Sequence, residues 1–302
     1  MSPSPSLRPS DDAPLRIALP KGRMQESVMR LLADAGLPVA AGPRGYRPRL
    51  PLPWLDAKLL KPQTIVEMLA LGLRDVGFAG ADWVAELERD DPAWRSPLEI
   101  LDTGLDPVRL VVAAPEPLLV EGALPTRPLI VASEYPTLAA AWIAERGCGD
   151  RLVRSSGATE VFPPDDADCI LDVTQSGATL AANGLVVVEE RLRSSTRLYA
   201  SRSAWECPLR RSRIETVALL VRSALEARGR VMLELNVDAD RLPGVVAVLP
   251  CMREPTLAPL AGNRGFAVKA AVPRDRLAEL IPLLKSRGGS DLAVSPLVQV
   301  MP

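Results

Sequence analysis

Apolar residues along the chain fall into short blocks whose spacing alternates between strand-like and helix-like. Leu15-Arg16-Ile17-Ala18-Leu19 is a compact run closed by Pro20-Lys21-Gly22-Arg23, after which Met24, Val28, Leu31 and Leu32 recur at helical spacing until Gly36. A strand, a loop and a helix in that order predict an α/β domain. The alternation continues with a helix over Ile65–Leu71, stopped by Gly72, and a strand over Asp75–Ala79 that turns through Gly80-Ala81-Asp82 into a helix from Trp83 to Leu87. Further strands are expected at Arg109–Ala114, Leu129–Ala132, Arg151–Arg154, Cys169–Leu171, Val186–Val188 and Arg191–Ala200. Helices are expected at Leu138–Glu145, after Gly177, and at Ile214–Ala227.

Beyond a break near Ala227–Arg230 the texture changes. Val231–Val237 alternates, and a helix over Ala239–Leu249, strands at Thr256–Leu260 and Gly265–Ala271, a helix over Arg274–Ser286 and a strand over Leu292–Val300 follow. This β-α-β-β-α-β order is that of a ferredoxin-like unit. It holds no catalytic constellation and reads as an accessory domain.

Composition narrows the function classes. A chain of 302 residues, 47% apolar and 24% charged, fits a globular protein of two or three domains. Its formal charge of −1 gives no support to a nucleic-acid or anionic-membrane partner. The 30 prolines are scattered, which points to many short loops. Residues 1–14 have no apolar core and read as a mobile tail, not a secretory signal. No window approaches the ~18–20 unbroken apolar residues of a membrane span. The four cysteines form no C-x-x-C pair, which argues against a zinc ribbon and fits reduced thiols in a cytosol. There is no histidine. Imidazole bases, Ser-His-Asp triads and His-ligated metals are thereby removed, leaving carboxylates, Lys, Arg, hydroxyls, backbone amides or a ligand-borne metal to do any chemistry.

The most informative stretch is Asp172-Val173-Thr174-Gln175-Ser176-Gly177-Ala178-Thr179-Leu180, which follows the strand Cys169–Leu171 and leads toward Asn183-Gly184. A carboxylate sits where the strand stops, and hydroxyls flank a glycine where a helix begins. Free amides there can hold a phosphate while Asp172 accepts hydrogen bonds from ribose hydroxyls. The plain alternative is an ordinary capped βα turn. Ordinary phosphoribosyltransferases place two adjacent acids before such a loop, and here the first position is Leu171. Lys21-Gly22-Arg23 reads either as a polyphosphate contact or as a solvated basic turn. Asp82 is either a cleft carboxylate or a helix cap. Tyr135-Pro136 either stacks on a ring or makes a rigid turn, and Glu160 is either a site carboxylate or a surface charge.

Taken together, LRIALPKGR, RGYRP at 44–48, RDVGFAGADWVAE, LDTGLDPVRLVVAAPE, ASEYPTLAAAWIAERG, SGATE and DVTQSGATLAANGL are collinear from Leu15 to about Glu226 with the ATP phosphoribosyltransferase family. VMLELNV, VVAVLPCMREPTLAPLAG, GFAVKAAVP and LIPLLKSRGGSDLAVSPLVQVMP resemble the regulatory domain of that family's long form. The resemblance implies a two-lobed, periplasmic-binding-protein-like catalytic half and a ferredoxin-like regulatory domain at 227–302. One lobe comprises 15–107 and 195–226, the other 108–194. It also implies transfer of a phosphoribosyl group from phosphoribosyl pyrophosphate (PRPP) to N1 of ATP, with Mg²⁺ on the pyrophosphate, as the committed step of histidine biosynthesis in the cytoplasm.

Carried over residue by residue, Asp172 and Glu160 are the catalytic acids. Asp172, Thr174, Ser176, Gly177, Ala178, Thr179 and Leu180 bind PRPP. Lys21, Gly22, Arg23, Arg44, Arg47, Asp82 and Tyr135 meet the nucleotide or pyrophosphate. Thr256 and Asn236 belong to a histidine effector site, although the strand VMLELNV lacks an aspartate to pair with histidine's ammonium group. No protein side chain is assigned to a metal, and the family implies dimers combining into hexamers. A solute sensor on the same fold and a salvage phosphoribosyltransferase for a free base remain the rival readings.

Overall fold

The computed structural model of the chain describes residues 13–40, 45–88, 94–262 and 264–301. Strand β1 (Leu15–Pro20) leads to helix α1 (Gln25–Asp34), β2 (Leu55–Leu60) to α2 (Pro62–Ala70), and β3 (Val76–Gly80) to α3 (Ala81–Leu87). Next come β4 (Leu98–Pro115), β5 (Ile130–Ser133), α4 (Pro136–Arg146), β6 (Arg151–Arg154) and β7 (Cys169–Thr174). The short α5 (Ala178–Ala182), β8 (Leu185–Ala200), α6 (Arg202–Glu206) and α7 (Pro208–Arg228) follow. The described chain divides into two compact units, one running to Met29 and over Val39–Thr216, the other over Arg30–Pro38 and from Val217 onward.

The first unit is built on an eight-stranded sheet in the order β2-β1-β3-β8-β4-β7-β5-β6. β1 lies parallel to β2 and β3, and β5 lies parallel to β6 and β7, so each lobe has its own parallel set. The long strands β4 and β8 pair antiparallel along their length and carry the chain between the lobes. Here the structure departs from the periodicity. The strand expected at Arg109 begins at Leu98, and the strands expected at Val186–Val188 and Arg191–Ala200 are one strand. Glu189, Glu190, Arg191 and Arg193 interrupt the apolar pattern, but they pair with one another or with Arg109 and Glu145 while the ladder to β4 satisfies the backbone. Strand β2 is not among the expected elements, although Leu55-Asp56-Ala57-Lys58-Leu59 alternates apolar and polar as a strand does.

The register explains where the loops meet. Gly80 at the end of β3 lies opposite Thr196, Thr174 at the end of β7 lies opposite Arg109, and Val108 lies opposite Ser194. The parallel strands of the two lobes therefore end facing the same middle stretch of β4 and β8. On β4, Leu110, Val112 and Ala114 pack with Leu129, Tyr135 and Trp142, while Val111 and Ala113 pack on the other face with Ile170, Leu180 and Leu185. Both faces are buried, which is why this strand reads as an unbroken apolar run. Asp172 follows Ile170 by two residues and so falls on the Leu180 side of the sheet.

In the second unit β9 (Arg230–Asp238), α8 (Leu242–Val246), β10 (Thr256–Pro259), β11 (Gly265–Pro273), α9 (Leu277–Ser286) and β12 (Ser290–Pro296) form the expected β-α-β-β-α-β unit. Its antiparallel sheet has the order β10-β11-β9-β12. Val231, Leu233, Leu235 and Val237 alternate inward from β9 against Val245, Leu280 and Leu284. Helix α8 is shorter than the span expected over Ala239–Leu249, consistent with Pro243 and Gly244 within it. Among the described residues no helix is long and apolar enough to cross a membrane.

Candidate functional site

The loop after β7 opens onto a cavity of about 270 Å³ lined by Glu134, Thr159, Glu160, Asp172, Thr174, Gln175, Thr179 and Leu180. Gly177 has φ of 81°, and a Cβ there would meet nothing within 4 Å. Glycine is thus needed for its left-handed backbone, while the space beside it stays open for a ligand. Thr174 Oγ1 accepts from Gly177 N at 3.1 Å and Ser176 Oγ from Ala178 N at 3.3 Å, so both hydroxyls hold the turn. Leu180 is buried and anchors the loop, whereas Ser176, Ala178 and Thr179 are exposed. Because α5 spans only Ala178–Ala182, no long helix dipole backs this loop, and the Gly177 and Ala178 amides are engaged within the turn.

Asp172 is half-buried, and its Oδ1 accepts from Val173 N at 2.6 Å. Loss of solvation pushes its pKa up to about 6; the Thr159 hydroxyl and the Val173 amide hold it down, while Glu134 and Glu160 raise it further. The carboxyl therefore sits where positive charge or hydrogen-bond donors on a ligand are favoured. Among the described residues, no group of three or more acids or thiols converges as a metal cage.

A second cavity, also about 270 Å³, is lined by Lys61, Gln63, Thr64, Trp83, Glu134, Arg154, Ser155 and Ser156. Glu134 belongs to both cavities, and Ser155 Oγ and Thr159 Oγ1 share a hydrogen bond of 2.7 Å between them. Sequence reasoning missed this wall. Lys61 and Gln63 follow β2, and Lys21 N donates to Leu60 O at 2.8 Å, which sets the ends of β1 and β2 side by side. The K-P-Q step at the start of α2, where Pro62 occupies the first turn, was the available signal.

Asp82 and Tyr135, anticipated at the nucleotide, are joined to each other. The Tyr135 hydroxyl donates to Asp82 Oδ2 and the Ser194 hydroxyl to Oδ1, both at 2.6 Å, and Asp82 N donates back to Ser194 Oγ at 3.0 Å. Both residues are 1% exposed, and the Tyr135 ring stacks on Trp83 at 4.5 Å. Burial, then the Asp82 charge, drives the phenol pKa far up, so Tyr135 is a fixed donor. Gly80 makes the fold-back possible, because a Cβ there would lie 2.1 Å from Asp82 Oδ1. One turn on, Glu86 accepts from Thr137 N and Leu138 N at 2.9 and 3.0 Å, capping α4 across the lobes. Asp82 and Tyr135 thus form an interlobe clasp, with Glu86 and Ser194 as members the sequence did not mark.

The basic residues separate. Lys21 Nζ lies 3.3 Å from the Tyr46 ring centroid. Gly22 has φ of 79°, and Arg23 NH1 donates to Asp106 O at 3.1 Å, tying the first loop to β4. Arg47 is exposed, and Arg44 lies outside the described residues, as do residues 1–12 of the expected tail. In the second unit, Thr256 lines a cavity of about 670 Å³ with Met232, Cys251, Arg253, Glu254, Lys269 and Met301. Asn236 does not line it; its Nδ2 donates to Asp291 Oδ2 at 3.0 Å.

Comparison with known proteins agrees along the chain. Residues 61–223 match the family model described as ATP phosphoribosyltransferase, and residues 227–299 match that described as HisG, C-terminal domain. The chain is 33% identical over 293 residues to an ATP phosphoribosyltransferase of Pelotomaculum thermopropionicum, covering 95% of this chain and 99% of that protein. It is 35% identical to one of Chlorobium luteolum, covering 92% and 94%. A solved ATP phosphoribosyl transferase (HisG:HisZ) complex from Thermotoga maritima shares the fold of 69% of this chain and 98% of that one, with a TM-score of 0.59 at 22% identity. The chain belongs to the ATP phosphoribosyltransferase family, in the form that carries a C-terminal domain.

Proposed function

We propose that this chain transfers the phosphoribosyl group of PRPP to N1 of ATP and releases pyrophosphate, the committed step of histidine biosynthesis, in the cytoplasm. The observation that supports this reading most is the cavity at the end of β7, where Asp172 and Glu160 border one space with Thr174, Gln175 and Thr179 of the loop, Ser176, Gly177 and Ala178 lying outside its lining. In this reading the 5′-phosphate is taken by the Ser176 and Thr179 hydroxyls and amides, since the Gly177 and Ala178 amides hold the turn, and Asp172 accepts hydrogen bonds from the ribose hydroxyls. Asp172 and Glu160 face the anomeric carbon as it gains oxocarbenium character, and Leu180 fixes the loop behind them. Adenine N1 attacks with a lone pair and carries no proton. A site without histidine is therefore sufficient, because positioning and charge neutralisation are the work that remains. Mg²⁺ enters as part of the PRPP substrate, and Lys21, Arg23 and Arg47 neutralise the pyrophosphate or triphosphate around it. Pyrophosphate release should require both PRPP and ATP. Release with free adenine would make the enzyme a salvage transferase, and binding without release would make it a sensor.

The second unit is read as the effector domain. Histidine would occupy the cavity beside Thr256, where Glu254 supplies a carboxylate, Glu234 of β9 being paired with Lys269 at 2.7 Å. Replacing Glu254 by glutamine should weaken histidine inhibition about tenfold, the loss of one charge-assisted hydrogen bond. An unchanged histidine affinity by calorimetry would place the ammonium group elsewhere. The active species is read as a homo-oligomer, a dimer that combines into a hexamer, which light scattering with and without histidine can test.

A further inference from the structure

We propose that Asp106, on the crossover strand β4, is a positioning residue that sets Arg23 for the phosphates of the substrate. Asp106 Oδ2 accepts from Ser27 Oγ in the first turn of α1 at 2.6 Å and from Thr196 Oγ1 on β8 at 2.8 Å. The carbonyl oxygen of the same residue accepts from the Arg23 guanidinium at 3.1 Å. Asp106 therefore joins the loop Lys21–Arg23, the helix that follows it and the second crossover strand. Arg23 is exposed, and among the described residues it is held by this neutral oxygen and by no ion pair with an acid. Its charge is oriented without being cancelled, which is what an anion-binding cation requires.

The backbone is shaped for this contact. Leu105 pairs with Thr196 and Val108 with Ser194, so β4 takes three steps where β8 takes two, and the extra residue bulges. In a regular ladder the Asp106 carbonyl would bond a neighbouring strand; the bulge leaves it to Arg23. Asp106 has φ of 48°, in the left-handed region that few residues other than glycine adopt, and aspartate is one of those few. Glycine would fit the bend but supply no carboxylate for Ser27 and Thr196. The tie also sets spacing. Asp106 lies just before Arg109, which pairs with Thr174 at the start of the loop after β7. One strand thus carries the anchor of the cationic loop and the partner of the loop read as holding the ribose phosphate.

This inference rests on the phosphate role proposed above for Arg23. Arg23→Ala sets the reference and should raise the KM for ATP or for PRPP by about tenfold. Asp106→Ala should raise the same KM by about fivefold and leave the other within about twofold. Added to Arg23→Ala it should cost less than about twofold more, because the group it positions is gone. Asp106→Asn, which still accepts and still adopts the left-handed bend, should stay within about twofold of wild type. Ser27→Ala removes one tether without touching the bulge and should shift the same KM by about twofold, which keeps the test open if Asp106→Ala does not fold. Additive losses, an asparagine variant as impaired as alanine, or a lower melting temperature with both KM values unchanged overturn the assignment. If ATP and PRPP release no pyrophosphate, calorimetric titration with magnesium pyrophosphate and with magnesium ATP reads the pair without turnover. Matched losses in Arg23→Ala and Asp106→Ala then uphold the positioning role although the reaction fails, and wild-type binding by both variants overturns it.

Discussion

Replacing Asp172 with asparagine is expected to lower turnover by about two orders of magnitude while making the unliganded protein more stable at pH 8. Both effects have one origin. Loss of solvation and the neighbouring Glu134 and Glu160 push the carboxyl up to about 6, so the fold disfavours its charged form. A pKa raised above its unfolded value means that the protonated form is relatively favoured in the folded state. The destabilisation is absent below about pH 4, grows through about pH 6 and is complete above it. A shift of that size corresponds to at most about 3 kcal/mol, which asparagine removes while still accepting from Val173 N. The melting temperature at pH 8 should rise by several degrees, and the gap should close near pH 4. In wild type, the KM for PRPP should rise as pH falls below about 6, because the protonated carboxyl accepts less well from ribose hydroxyls. Near-normal turnover in the variant would remove Asp172 from the chemistry, and an unchanged melting temperature at pH 8 would remove the strain.

Asp82→Ala is expected to destabilise the first unit by about 3 kcal/mol. The substitution leaves the Tyr135 hydroxyl and the Ser194 hydroxyl facing a gap where Asp82 now accepts from both. With Asp82 and Tyr135 each 1% exposed, water has little access to replace the lost acceptor. Tyr135→Phe should lose less, about 1–2 kcal/mol, because it removes the donor together with its need for a partner. A double-mutant cycle in urea should return a coupling of at least about 1 kcal/mol. Additive losses would mean that the two side chains stabilise their lobes separately.

Much of this was legible from local pattern. The strands and helices of both units follow from runs such as Leu15–Leu19 and from the alternation of Val231–Val237, since each is set by which residues must leave water. The loop at Asp172–Thr179 was legible for a different reason. Its carboxylate, hydroxyls and glycine are consecutive, so their chemistry survives reading in one dimension. Strand β2 carries its signal in only five residues, the alternation Leu55-Asp56-Ala57-Lys58-Leu59, short enough to pass for loop until its parallel pairing with β1 is seen, and with it Lys61 and Gln63 went unmarked. The join of Val186–Val188 to Arg191–Ala200 was hidden because charged pairs replace apolar residues where the strand crosses between lobes.

The sequence by itself determined most of the elements apart from β2 and the join within β8, the family, and the loop after β7 with its single acid, because these depend on residues close together in the chain. Only the tertiary structure decided what those residues face. Asp82 could be a cleft acid or a cap until β3 was laid beside β8, bringing Ser194 and Tyr135 to its two oxygens. Glu134 gained its place between two cavities, and Asp172 its raised pKa, from partners more than a few residues distant. Desolvation and charge coupling depend on distance in space, and a linear pattern carries no record of it until the sheet fixes the register.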